Sequence, residues 1–199
     1  MSRELIFLYD QVIESLTRLH AFGSTRARDL GGGHDVEDDV DQVAELLFRR
    51  DLLVFAASTR NFAEACDAVK DMRARVIPLC KFLSPPTAPF FVEETEAITL
   101  YQTLSRILHS AELRICRSSD DFEHLLVSST DDLLLLIEKR RRKPVESTEP
   151  VILIRSEKDP LTLIRVRSLV SITCDFLNAV SDRLSSERQV YLQRDYREL

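Results

Sequence analysis

Tryptophan is absent from the 199 residues, and glycine occurs only four times. So little glycine argues against a many-stranded β fold, whose tight turns draw on it, and favours long helices. The four cysteines, Cys66, Cys80, Cys116 and Cys174, are too widely spaced to form a Cys-x-x-Cys pair for zinc or dithiol chemistry. Each falls in an apolar pattern, where a reduced thiol behaves as a small hydrophobe. Reduced core thiols are therefore expected rather than disulfides. No apolar stretch approaches the ~20 residues of a membrane span. The run at Leu5-Ile6 is too short for a signal-peptide core, so a cytoplasmic protein without membrane contact is expected. An excess of positive charge is missing too. Lys and Arg number 27 against 33 Asp and Glu, a net charge of −6, which argues against non-specific wrapping of nucleic acid.

What is present suits one folded domain over residues 1–199: 44% hydrophobic and 30% charged residues, in a length that one core accommodates. Leu5, Tyr9, Val12, Leu16 and Leu19 recur at helical steps, and the pattern closes near Phe22-Gly23. Gly31-Gly32-Gly33 marks a loop. A second helical pattern starts near Asp35, with Val36, Val40, Val43, Leu47, Val54 and Ala57 on one face. Glu37, Asp38, Asp39 and Asp41 crowd its first turns, where carboxylates complement the helix dipole. The pattern runs through Phe62, Cys66 and Met72 to about Ile77, with a break expected near Arg49–Asp51 because the whole is long for one helix.

Ser84-Pro85-Pro86-Thr87-Ala88-Pro89 is a linker (84–89) by its prolines. It is expected to join two helices of one core, with a boundary between two subdomains as the alternative. A helix is predicted over 93–109 on Ala97, Ile98, Tyr101, Leu104 and Leu108, and a strand at 112–117 on its alternation. Residues 120–142 have helix-like composition. Val151–Ile154 and Leu161–Val166, separated by a turn containing Asp159-Pro160, form a β-hairpin, and Leu169 to Leu184 carries a last helical stripe. The expected fold is α+β and mostly α. About five or six helices surround one core, with a hairpin at 151–166 or a three-stranded antiparallel sheet that includes the strand near Leu113.

Candidate chemistry is thin. His20, His34, His109 and His124 include no His-x-x-x-His pair, and no metal or cofactor is expected. The triple glycine lacks the Lys-Ser/Thr of a phosphate loop, and the aspartates after it would repel phosphate. There is no Gly-x-Ser-x-Gly elbow. The acidic pairs at Asp38-Asp39, Asp120-Asp121 and Asp131-Asp132 suit helix starts. Lys139-Arg140-Arg141-Arg142-Lys143 suits the last turn of a helix, where cations offset the dipole, and is otherwise a contact for phosphate.

Ser58-Thr59-Arg60-Asn61-Phe62-Ala63-Glu64, on a helical pattern, resembles the HEPN superfamily of bacterial defence and toxin proteins. The resemblance implies a helical bundle in which an arginine, a polar residue and a histidine four to six positions on cut RNA in a dimer. Arg60 and Asn61 match, whereas Ala65, Cys66 and Asp67 occupy the histidine's place. Arg28-Asp29 with His34 keeps the spacing across glycines instead. Two functions are therefore expected. The first is a non-enzymatic interaction protein that binds a protein partner or itself as a homodimer through apolar helix faces or the hairpin edge. The alternative is a HEPN-like RNA-binding or RNA-cleaving protein, with Arg60, Asn61, Arg140, Arg141 and Arg142 as contacts.

Overall fold

A computed structural model describes residues 2–24, 34–82, 91–116, 150–156 and 161–188, together with Leu192. Helix α1 spans Ser2–Ser24, α2 His34–Ala65 and α3 Val69–Ala74. Strands β1 (Val76–Phe82) and β2 (Phe91–Thr99) follow, then helix α4 (Leu100–Leu108) and strand β3 (Glu112–Cys116). Strands β4 (Val151–Arg155) and β5 (Thr162–Arg165) precede the last helix, α5 (Val166–Arg188). The fold is α+β and mostly helical. The described residues hold five helices and two small antiparallel sheets.

The helical stripe of α1 buries Leu5, Val12, Leu16 and Leu19 against α2. Tyr9 meets Phe62 with ring centroids 5.8 Å apart, and Arg18 approaches Asp51 at 3.7 Å, so the two helices run antiparallel. Helix α2 passes through Arg49–Asp51 without the expected break, which falls instead at Cys66–Ala68. There Asp67 takes a left-handed φ of 56°. The Ala68 N–H donates to the Ala63 carbonyl at 2.7 Å and the Asp67 N–H to that of Glu64 at 3.2 Å, the paired bonds of a Schellman closure.

The chain beyond differs from the helix expected to run to Ile77. After the short α3, β1 begins at Val76. It pairs antiparallel with β2, Val76 opposite Thr99 and Phe82 opposite Phe91, with a register shift between Pro78 and Cys80. A strand tolerates proline at such an irregularity because one ladder donor is already out of use. The helix expected over 93–109 is thus strand to Thr99 and helix from Leu100 onward. The change is made by a capping box. Thr99 Oγ1 accepts from the Gln102 N–H at 3.1 Å, and the Gln102 side chain accepts from the Thr99 N–H at 3.0 Å.

The strand near Leu113 and the hairpin at 151–166 form the expected three-stranded sheet, ordered β3-β4-β5, with Leu113 opposite Ile154 and Ile152 opposite Ile164. Leu113, Ile115, Ile152, Ile154 and Ile164 face the main core. Cys116, Val151, Leu153 and Leu163 face the other way and cluster with Cys80 of β1. Both faces of β4 are therefore covered, which is why its sequence is continuously apolar and not alternating. The main core draws on all five helices and includes Leu192. None of the four cysteines is in a disulfide, and Cys66, Cys80 and Cys116 are buried. The linker at 84–89, the helix-like stretch 120–142 and the glycine loop at 31–33 lie outside the described residues. No described helix is long and apolar enough to cross a membrane.

Candidate interaction surface

Helix α2 has two apolar faces. Its inner face buries Phe48, Leu52, Phe55, Ala56, Thr59, Phe62 and Ala63. Residues at three- and four-residue steps on the opposite side form a second stripe. Here Val43, Leu46, Leu53 and Val54 are 54%, 63%, 40% and 49% exposed. Half-buried Ala57 and exposed Asn61 continue it. The face that the sequence pattern set out with Val43, Val54 and Ala57 is this outer one. The core face is marked by Phe48, Phe55 and Phe62, whose large rings gain more from burial than valines do. A surface helix ordinarily turns a polar side to water. Apolar side chains left there in two groups, Val43 with Leu46 and Leu53 with Val54, mark a candidate contact surface.

Along the sequence of α2 the charges are unevenly placed. At its start the helix positions Asp35, Glu37, Asp38, Asp39 and Asp41 are acidic. At its far end Arg60 is a half-buried side chain, 3.8 Å from Glu64. Its guanidinium donates to the Tyr101 hydroxyl at 3.4 Å and lies 5.0 Å from the centre of that ring. Arg73 of α3 lies 4.6 Å from the centre of the same ring. Each cation is attracted to the electron-rich ring of Tyr101, which holds the two guanidinium groups near one another despite their like charge. The Thr99 capping box sets where α4 begins and hence where Tyr101 stands.

Arg50 occupies the middle of the stripe. Its guanidinium donates to Asp51 Oδ1 at 3.3 Å, and Arg18 from α1 approaches the same oxygen at 3.7 Å. Asp51 is buried, and among the described residues its Oδ2 has no hydrogen-bond partner. Two guanidinium groups are what make a buried carboxylate tolerable there.

The structure places Arg60 and Asn61 side by side on the last turns of α2, at the end of the apolar stripe. Arg28 and Arg140–Arg142 lie outside the described residues, and His34 opens α2. His20 is exposed on α1 and His109 is the C-cap of α4. Neither is among the contacts of Arg60, which are Tyr101 and Glu64. Among the described residues no three His, Cys, Asp or Glu side chains stand together as metal ligands. Burial raises the Cys174 thiol above its ordinary pKa, helped by the negative charge of Asp175, which disfavours a nucleophilic thiolate. Sequence reasoning missed Tyr101 and Arg73 as companions of Arg60. Their only sequence signal is that both belong to helices, and three-dimensional packing alone unites them.

No protein-family model matches the chain, and no similar curated protein or solved structure was found.

Proposed function

We propose that the chain is a non-enzymatic interaction protein whose docking surface is the outer face of α2. The observation that carries this reading is the exposed stripe of Val43, Leu46, Leu53 and Val54, opposite a fully packed inner face of the same helix. Leaving four aliphatic side chains in water gives up several kcal/mol, at about 25 cal/mol per Å² of apolar surface. Covering them with a partner recovers it. Leu46 and Leu53 are two turns apart, so an apolar helix laid along α2 meets both. The RNA-cleaving alternative has less support. The Arg60 guanidinium is engaged by Glu64 and the Tyr101 ring, with no histidine among its contacts to share a proton.

A photo-crosslinking residue placed at Leu46 in cells tests the reading. A discrete adduct is expected, absent when the residue is placed at exposed Lys70 on α3 and lost when Leu53→Glu is added. The thermal midpoint of Leu53→Glu should stay within about 3 °C of the parent, since substitutions at exposed sites usually cost under about 0.5 kcal/mol. No adduct at Leu46, or one indifferent to Leu53→Glu, would remove the basis for the proposal.

A further inference from the structure

We infer that the partner covering this face is a second copy of the same chain, paired α2 to α2 in antiparallel fashion about a twofold axis at Arg50. The inference rests on the docking surface above and names its occupant. Two independent features of the helix point to it.

The first is spacing. Leu46 and Val54 lie four residues before and after Arg50, and Val43 and Ala57 lie seven before and after. A twofold axis through the Arg50 position exchanges each residue with the one equally far on the other side. Leu46 then comes level with Val54 of the second copy, and Val43 with Ala57. The four small-to-medium aliphatic positions meet one another in both halves of the interface, as a self-complementary surface requires. A parallel pairing sets Leu46 on Leu46 and Val43 on Val43, but it also lays each acidic helix start on its own kind.

The second feature is charge. Five acidic positions fall between Asp35 and Asp41, whereas Arg60 stands near the other end with Arg73 beside it across Tyr101. In the antiparallel arrangement Arg60 comes level with residue 40 of the second copy, between Asp39 and Asp41. Positions of opposite charge come level at both ends, which favours this direction over the parallel one. At the axis the two exposed Arg50 side chains come together; each shares the Asp51 carboxylate with Arg18, so their mutual repulsion opposes pairing at the centre and the ends must outweigh it.

Sedimentation and cysteine crosslinking of the full chain test this. The wild type is expected to sediment at twice 22.9 kDa, and Leu46→Glu with Leu53→Glu to weaken dimerisation at least tenfold. Arg50→Cys should crosslink to its own copy under mild oxidation. Leu46→Cys should not, because eight residues of helix offset it from its equivalent by about 12 Å, beyond the reach of a disulfide. A mixture of Val43→Cys and Ala57→Cys chains should form the mixed dimer. The wild type, whose native cysteines form no disulfide, is the control. A monomer at every concentration overturns the inference, and so does a dimer that crosslinks through Leu46→Cys and not through Arg50→Cys. If the Leu46 photo-adduct carries a mass other than that of a second chain, the docking surface stands and its assignment to a second copy falls.

Discussion

Asp67 is where a single residue decides the course of the chain. With φ at 56° it is the one non-glycine residue in the left-handed region among those described, and it lets the Ala68 and Asp67 amides turn back onto α2. The Cys66 carbonyl left open at this end accepts from Arg183 of α5 at 3.1 Å, and Arg183 also pairs with Asp71 at 3.4 Å. A side chain in this conformation costs about 1 kcal/mol or more that glycine does not incur, while glycine adds somewhat less in unfolded-chain entropy. Asp67→Gly should therefore stabilise the fold by about 0.5 kcal/mol, and Asp67→Val should destabilise it by more than about 1 kcal/mol, because β-branching worsens the clash. Urea unfolding of the two variants checks this. Equal midpoints for both would mean that the conformation is not the constraint. This residue also explains a misreading. Helix ends are legible when glycine or proline marks them, and here an aspartate does the work of glycine. The apolar period from Phe62 through Met72 therefore looks unbroken in sequence although the chain turns beneath it.

At the scale of elements, the boundary between β2 and α4 is the point where periodicity misleads. Ala97, Ile98, Tyr101, Leu104 and Leu108 fit a helix at three- and four-residue steps, yet the ladder to β1 holds residues 91–99 extended. The pairing partner lies across the 84–89 linker, and a nonlocal contact of that kind leaves no mark in a local pattern. The legible signal was Thr99 with Gln102, a helix-start signature three residues apart. The two strands of the hairpin at 151–166, by contrast, are legible to within a residue, with β4 ending at Arg155 and β5 spanning Thr162–Arg165 before Val166 opens α5. Val151–Ile154 and Leu161–Val166 are rich in β-branched residues and the sequence between them carries Asp159-Pro160, so local preference and long-range pairing agree there. If the box fixes the start of α4, Thr99→Ala should lower stability by about 1 kcal/mol, and Thr99→Ser should retain most of it. The measurement is a denaturant midpoint at unchanged slope. A Thr99→Ser variant as unstable as Thr99→Ala would show that the methyl group matters and the cap does not.

For the whole molecule, the question is how one helix serves a core and a surface at once. Helix α2 is long enough, about 48 Å from its length of 32 residues, to carry two stripes that share no residues. Composition alone does not rank them, since both are aliphatic-rich and both have helical spacing. The helical period makes the Val43 stripe legible, and only the packing of α1 and α4 shows that the opposite face, with Phe48, Phe55 and Phe62, occupies the interior. Sequence reasoning recognised Arg60 and Asn61 as worth following, but the surface they terminate becomes visible only when α3 and α4 bring Arg73 and Tyr101 to them. The two faces should separate experimentally. Phe55 is completely buried, so Phe55→Ala removes its contacts and leaves a cavity, at a cost of about 3–5 kcal/mol. At about 2–4 °C per kcal/mol for a chain of this size, its thermal midpoint should fall by roughly 10 °C. The Leu53→Glu midpoint should hardly move, though its assembly should fail. Calorimetry on the two variants at equal, low concentration reads the difference, low because any assembly on the outer face adds its own stabilisation to the parent. If Leu53→Glu melts as early as Phe55→Ala under those conditions, the outer stripe is part of the fold and not a surface held in reserve for contact.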